Sequence, residues 1–454
     1  MSDQPYRRLS PLTPVVRSFI VVVAAATTIG RDLFRQGELG PAAAAFGALL
    51  VAGAVYGIAS WARTKFWIES DELRVDTGVI SRQSRRIRID RLQGIDIVQP
   101  FVARLFGLAE LRMDVAGGNS REGSLAFLRL TDARELKDTL LARRDAVRAG
   151  DGDAEVEGDG TSGTHEAVIP PAPQPDRILA RVDLATLLLS ILLVPETLAL
   201  LLIGLLFFIG FVATGQWVGA SAALPALAGL LLVQFKRFSG NYNFTVSETA
   251  AGLHVRRGLF DLNSQTIALP RLQGIVITEP VIWRNFGWAR LDVSIAGYAS
   301  ASEDSSGPSV SIALPVGDRA LVMWLAEYVL GGVNPDHTQL SAPPAAAKWV
   351  SPFGRHFMGA GASKDVVVTR EGWLTRRTHV VPHARVQSLR IVQGPMQRSL
   401  GLADFEVDSP PGPVRVRARH RTVGEARKIL DVEAEVSRDA RKALVTPPSH
   451  RSSR

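Results

Sequence analysis

The strongest constraint on this chain is an internal repeat. Gly78 to Gly117 aligns without a gap to Gly258 to Gly297, and 17 of the 40 positions are identical. The two copies agree best at Arg91 to Ile95, which corresponds to Arg271 to Ile275. Self-similarity of this kind indicates that one structural unit has been duplicated.

A third, more divergent copy follows at an offset of 294 from the first. It keeps Gly372, Arg385 and Gln387 at the positions of Gly78, Arg91 and Gln93. However, Ser388 replaces Gly94 and Gly394 replaces Pro100. The third copy also starts later, so its first strands could be completed by another copy.

Each copy combines short strand patterns with one closing helix. In the first copy, strands are predicted at Phe66–Ile68, Leu73–Asp76, Val79–Ile89, Ile95–Val98, Leu111–Val115 and Leu125–Leu130, before a helix at Ala133–Val147. Corresponding helices are predicted at Asp318–Leu330 and Val423–Val436. This order predicts three PH-like domains, each a partly open β-barrel capped by its C-terminal helix.

The repeated motif is similar to that of a known family. The glycine turn, the Arg-x-Gln block and the later Arg-x-x-Gly-x-Ala of each copy resemble bacterial PH (pleckstrin-homology-like) domain membrane proteins of the YdbS/YdbT-like type. The resemblance covers about two thirds of the chain. It implies the fold, but it brings no catalytic residues and no cofactor.

Outside the repeats, four apolar segments approach the length of about 20 residues that a membrane-spanning helix needs. They lie at Val15–Gly30, Gly40–Trp61, Thr197–Ala213 and Val218–Phe235. Together they predict two transmembrane hairpins, over residues 15–61 and 184–235, the second preceded by an interfacial helix at Leu184–Val194. Pro195 and Glu196 suit the amino end of the third span, although Glu196 could instead be an intramembrane functional group.

Basic residues concentrate at one side of these segments, for example Arg17, Arg63, Arg177 and Lys236. By the positive-inside rule, both termini and all three PH-like domains (65–148, 238–333 and 364–436) are expected in the cytoplasm. Residues 149–176 hold seven carboxylates and no Lys or Arg, which predicts a disordered acidic linker. A second linker is predicted at 334–361 and a flexible tail at 437–454.

Two groups of basic residues are candidate sites. Arg82, Arg86 and Arg88 share a strand face by period-two spacing and could contact anionic lipid, or simply form a solvated face. In the third copy, Arg415, Arg417, Arg419 and Arg421 also have period-two spacing and are expected on one strand face. The net charge of +8 agrees with an anionic partner, but no aromatic residues accompany the arginines, so nucleic acid is not expected.

The repeated Arg and Gln of the motif are predicted to be structural, bonding backbone carbonyls at the domain mouth or between copies, with a ligand site as the alternative. These residues are Arg91, Gln93, Arg271, Gln273, Arg385 and Gln387.

Enzyme motifs are absent from the sequence. The chain has no Cys, which excludes disulfides, thiol catalysis and cysteine-bound metals. The Gly-rich stretch before Lys364 lacks phosphate-loop spacing, and His379 and His383 do not share a helix face. We therefore expect no enzyme, no cofactor and no metal site.

The sequence as a whole predicts a multi-pass protein of the bacterial inner membrane. Its function is expected to be a non-catalytic scaffold or interaction module, touching anionic lipid, a membrane protein partner or a homologous PH-domain protein, with homo-oligomers allowed. The alternative is a membrane-stress or antimicrobial-resistance factor that acts with a transport partner.

Overall fold

The computed structural model describes residues 7–8, 39–69, 72–78, 82–115, 124–152, 177–214, 217–249, 252–296, 312–408 and 412–445. Its strands are β1 (Arg7–Arg8), β2 (Lys65–Glu69), β3 (Glu72–Thr77), β4 (Gln83–Arg88), β5 (Leu92–Gln99), β6 (Leu108–Val115), β7 (Ser124–Arg129), β8 (Arg177–Arg181), β9 (Thr245–Thr249), β10 (Gly252–Arg257), β11 (Leu262–Ile267), β12 (Leu272–Pro280), β13 (Trp288–Ile295), β14 (Ile312–Asp318), β15 (Gly359–Ala362), β16 (Val366–Glu371), β17 (Thr375–Pro382), β18 (Ser388–Val392), β19 (Leu402–Asp408) and β20 (Val416–Thr422). Its helices are α1 (Leu39–Arg63), α2 (Phe101–Leu105), α3 (Leu130–Gly152), α4 (Leu184–Leu192), α5 (Pro195–Thr214), α6 (Trp217–Asn241), α7 (Val281–Asn285), α8 (Arg319–Val329), α9 (Pro395–Ser399) and α10 (Val423–Val445).

The chain divides into two compact units, residues 1–175 with 260–266, and residues 176–259 with 267–454. In the first unit, β1 to β4 form one antiparallel sheet and β5 to β7 belong to another. Their apolar faces and α3 enclose a core that includes Leu73, Leu111 and Leu140. Alternation of buried and exposed residues along the strands places Leu73 and Leu111 inside, and Leu140 lies on the inward face of α3.

A strand from the second repeat joins the second sheet of the first unit. The residues Leu262, Asn263 and Ser264 of β11 pair antiparallel with Gln99, Val98 and Ile97 of β5. The Phe101 backbone N–H also donates to Asp261 Oδ1 at 3.1 Å, and the Phe101 and Phe260 rings meet edge to face.

Within the second unit, the third repeat pairs one of its strands with the second repeat in the same way. Strand β17 pairs antiparallel with β12, so that Thr378 stands opposite Ile277. Thr378 and Ile277 occupy the repeat positions of Ser264 and Ile97, so the two junctions have the same register. One strand of each following copy is therefore shared with the copy before it.

This sharing corrects the predicted barrels. The described strands form open sheets with a linear order, rather than barrels closed on themselves. The physical reason is that the third strand of a copy uses one edge to pair with the second strand of its own copy and the other edge to pair with the preceding copy, so its backbone groups are satisfied without closing a barrel.

The strands and closing helix of the first repeat lie within a few residues of their predicted positions, whereas β8 and β15 were not predicted as strands. The long strand expected at Val79–Ile89 is observed as β4, and residues 79–81 lie outside the described part. The helix α10 runs on to Val445 through the region predicted as a tail, and buries Ser437. Residues 446–454 lie outside the described residues, as does the acidic linker beyond Gly152, the last residue of α3.

The segment predicted as a second linker, 334–361, is ordered against the third repeat. It contains three short 3-10 turns and leads into β15, and Ser341 forms a bridge with Ala360. The guanidinium of Arg421, which is buried, donates to Ser341 Oγ at 2.8 Å and to the Ser341 carbonyl at 2.6 Å. These bonds hold the segment in place.

The apolar helices match only part of the membrane prediction. Among the described residues no single helix combines the length and apolarity needed to cross a bilayer, whereas α4 together with residues 195–210 of α5 does so as a pair bent by 60°. The first predicted span, Val15–Gly30, lies outside the described residues. Helix α4 docks on the second repeat through Leu187, and Trp283 Nε1 donates to the Ser190 carbonyl at 3.1 Å.

Candidate functional site

The second unit contains a charged cavity of about 880 Å³. One wall comes from the sheet that holds β12, β13, β16 and β17, and the other from the sheet β18–β20 of the third repeat. Six arginines line it, namely Arg290, Arg377, Arg390, Arg415, Arg417 and Arg419. We call it the arginine cavity.

Four carboxylates also line the arginine cavity, and each is matched to an arginine. Arg290 Nη2 lies 2.8 Å from Asp292 Oδ1, and Arg419 Nη2 lies 3.1 Å from Glu371 Oε2. Arg390 contacts both Glu406, at 2.7 Å, and Asp408, at 3.4 Å. Arg417 contacts Glu406 at 2.7 Å and also Asp404, which is buried behind it, at 2.9 Å.

The two remaining arginines of the cavity, Arg377 and Arg415, are not paired in this way with a carboxylate that the structure describes. Among the described residues, the side chains of Arg377 and Arg415 form no ion pair. Both residues are exposed at the edge of the cavity. With six arginines against four carboxylates, the lining carries a formal excess of two positive charges.

The charges and the burial of this region shift the pKa values of several of its groups. Burial raises the pKa of the Asp292 carboxyl, although Arg290 opposes the rise. Burial, and then repulsion from Arg290, lowers the pKa of Arg257 to about 10. The nearby His379 and Arg419 hold the pKa of Glu371 below its usual value, although burial opposes them.

His379 is buried in the wall of the cavity and is 3% exposed. Its Nδ1 accepts the backbone N–H of Arg415 at 3.1 Å, which leaves the proton of a neutral ring on Nε2. Among the described residues Nε2 has no hydrogen-bond partner, since Glu371 Oε1, at 3.8 Å, is beyond hydrogen-bond distance.

The predicted arginine row of β20 is only partly correct. Arg415, Arg417 and Arg419 all line the cavity, but Arg421 points away from it toward Ser341 and Glu425. The prediction was wrong at Arg421 because the strand register shifts between Ala403 and Phe405 and His420 has a φ of +54°. The extra residue of a bulge reverses the side-chain alternation.

The motif residues lie away from this cavity. Arg271 donates to the Ala296 carbonyl and Arg385 to the Pro270 carbonyl, which joins the third repeat to the second. Gln273 Nε2 donates to the Arg271 carbonyl at 3.4 Å. Arg91 and Gln387 are exposed; the Gln93 side chain lies outside the described part.

The predicted lipid-contact residues lie in or beside β4. Arg82, Arg86 and Arg88 are exposed, with Arg82 one residue before the strand. Arg88 binds Asp90 through two hydrogen bonds, at 3.1 and 2.9 Å, so its charge is partly compensated.

Most of the residues that line the cavity were not predicted from the sequence. Its lining comes from seven strands and the loop before β20, and only the spacing of Arg415, Arg417 and Arg419 indicated it. The Arg290–Asp292 pair repeats the same period-two spacing and was a usable signal. No group of three or more His, Asp or Glu suited to a metal occurs among the described residues.

Tandem PH-like units that share strands define this chain as a repeat protein of PH-like β-sheet domains. The chain belongs to the bacterial PH domain family, which it matches over residues 18–144, 182–331 and 312–436. It is also 25% identical, over 286 residues, to the UPF0699 transmembrane protein YdbT of Bacillus subtilis (strain 168). That alignment spans 59% of this chain and 57% of the length of the relative.

Proposed function

We propose that this protein is a non-catalytic scaffold anchored in the bacterial inner membrane, which presents its PH-like domains to the cytoplasm. The observation that carries the proposal is the strand shared between successive repeats. It makes the second and third repeats one body, and a rigid array suits a scaffold better than domains on free linkers.

Several further contacts strengthen the joint between these repeats. The Val281 N–H donates to the Leu374 carbonyl at 2.6 Å, and Arg284 Nη2 donates to the Trp373 carbonyl at 2.9 Å. Together with the β12–β17 pairing, they fix the third repeat against the second. A partner would therefore meet a surface composed of both.

Exposed apolar surface supports the membrane anchor. Helix α5 exposes large apolar residues on all sides, including Leu202, Phe208 and Val212. A helix that is hydrophobic all round is typical of a buried or membrane-spanning element. The relative from Bacillus subtilis is named a transmembrane protein, in agreement with this anchor.

The anchor also gives the β4 arginines a role. Because Lys65 begins β2 directly after α1, the first repeat lies close in sequence to the predicted membrane surface. Exposed Arg82 and Arg86 would then contact anionic headgroups, at about 1 kcal/mol per charge near the surface.

Alkaline extraction combined with protease treatment of spheroplasts tests the proposal. The full chain should remain in the membrane pellet at high pH, and protease should cut the PH-like domains only after the spheroplasts are lysed. Release of the chain by alkaline carbonate, or cutting in intact spheroplasts, would contradict the anchor or its orientation.

A further inference from the structure

The arginine cavity has more positive charge than its own carboxylates can match. Its paired arginines already hold Asp292, Glu371, Glu406 and Asp408 at salt-bridge distance, so those carboxylates are neutralised locally. The excess lies at Arg377 and Arg415. A cleft whose lining has an excess of one sign of charge attracts ligands of the opposite sign.

His379 supplies a second, independent observation. A buried donor without a partner costs about 1–3 kcal/mol, so its presence calls for an explanation. Since Nδ1 is fixed by the Arg415 N–H, Nε2–H lies in the wall of the cavity as a donor that the surrounding atoms cover. A bound anion that displaced the covering atoms would accept this proton and remove the cost.

The donor types indicate the class of ligand. Planar guanidinium groups bind phosphate oxygens through two parallel hydrogen bonds, and a neutral imidazole adds a single donor. The volume of about 880 Å³ falls within the range of small-molecule sites and exceeds what a single monatomic ion would need.

We propose that the arginine cavity binds a phosphate-bearing anion, with Arg377, Arg415 and the Nε2–H of His379 as its ligands. The phosphate is either that of a free metabolite or that of a lipid headgroup. The site does not depend on the scaffold function, because it is built entirely within the second unit.

Calorimetry on the full chain in mild detergent tests the free source, with inorganic pyrophosphate as the probe. Nanodiscs that contain phosphatidic acid test the lipid source against nanodiscs of zwitterionic lipid alone. The double variant Arg377→Ser/Arg415→Ser should weaken binding at least about tenfold, the loss expected from one charge-assisted hydrogen bond. Neither arginine has an ion pair among the described residues, and Asp292 and Glu371, on which Arg377 acts at longer range, keep their own arginines.

The matched control is Arg256→Ser/Arg427→Ser, which removes the same charge from exposed positions outside the cavity lining. It should change affinity by less than about twofold, because exposed charges beyond about 8–10 Å are screened. His379→Asn is a second variant, whose amide oxygen can replace Nδ1 as acceptor while the Nε2 donor is lost. It should also weaken binding, with the unfolding midpoint of the unliganded protein checking its fold.

Binding in either arm that falls in the cavity variants and survives in the control supports the site, and the arm identifies the source of the phosphate. Absence of binding in both arms, or binding that the cavity variants leave unchanged, overturns the proposal. So does an equal loss in the control, which would mean that net charge alone attracts the anion.

Discussion

The close approach of the second and third repeats at Gly274 gives the sharpest test of the junction. A Cβ at this position would lie 2.7 Å from the Val380 carbonyl oxygen, 3.0 Å from Val381 Cγ2 and 3.1 Å from Val414 Cγ1. The first of these atoms is backbone and cannot rotate away. Gly274→Ala must therefore push β17 away from β12.

The magnitude follows from two opposing effects. Overpacking of this kind costs about 1–3 kcal/mol. The substitution also removes the extra flexibility of glycine in the unfolded chain, which returns roughly 0.5–1 kcal/mol. We expect the free energy of unfolding to fall by about 1–2 kcal/mol, measured by urea titration of the full chain in detergent with tryptophan fluorescence.

The third repeat contains its own control. Ser388 stands at the same repeat position, is exposed, and already carries a Cβ on strand β18, which pairs only with β19 in the described part of the chain. Ser388→Ala removes the hydrogen bond from Ser388 Oγ to Asp408 Oδ2, at 2.8 Å, but this pair is exposed, so stability should fall by less than about 1 kcal/mol. If Gly274→Ala were as stable as Ser388→Ala, the inferred close packing of β17 on β12 would be wrong.

Three further predictions concern charge and topology. Burial lowers the pKa of His383, but its hydrogen bonds to Glu433 Oε1, at 2.7 Å, and to the Ser363 carbonyl, at 3.0 Å, outweigh this effect and raise it. The resulting stabilisation is complete below the unfolded pKa of about 6.5 and is lost as the pH rises through the higher folded pKa. The unfolding midpoint should therefore drop between these two pKa values. The variant Glu433→Gln should make this drop smaller. A dye attached to Ser84→Cys, in the full chain reconstituted into nanodiscs, should fluoresce differently in anionic than in zwitterionic lipid. This difference should disappear when Arg82, Arg86 and Arg88 are all replaced by Ser. Reporter fusions placed after Gly150, Gly332 and Arg454 should all give a cytoplasmic signal. A periplasmic signal at any one of them would refute the two-hairpin topology.

The local sequence pattern was enough to predict where the strands lie, but not which strands pair with each other. Period-two alternation and turn glycines placed β2 to β7 within a few residues, because these signals act over neighbouring residues. The sharing of β11 and β17 with preceding copies depends on contacts far apart in sequence. For that reason a fragment of residues 65–148 would lack β11, and a fragment starting at Lys364 would lack the Ser341 contacts of Arg421.

The candidate site was harder to predict for a related reason. The spacing of Arg415, Arg417 and Arg419 was visible, but the bulge at His420 that turns Arg421 away has no local sequence signal that we recognised. His379 looked like an isolated strand histidine. Its environment comes from the loop at Arg415 and from Glu371, and the former is 36 residues away along the chain.

The central claim, that successive repeats share a strand in one common register, is tested most directly by disulfide trapping, since the native chain has no Cys. Directly opposed side chains in an antiparallel pair have Cβ atoms about 4.5–5.5 Å apart, and a one-residue slip moves a side chain to the other face. Mild oxidation should cross-link Ser264→Cys with Ile97→Cys and, in a second variant, Thr378→Cys with Ile277→Cys. The slipped pairs Ser264→Cys with Val98→Cys and Thr378→Cys with Val276→Cys should remain reduced. Failure of both opposed pairs, or equal cross-linking of the slipped pairs, would contradict the shared-strand arrangement.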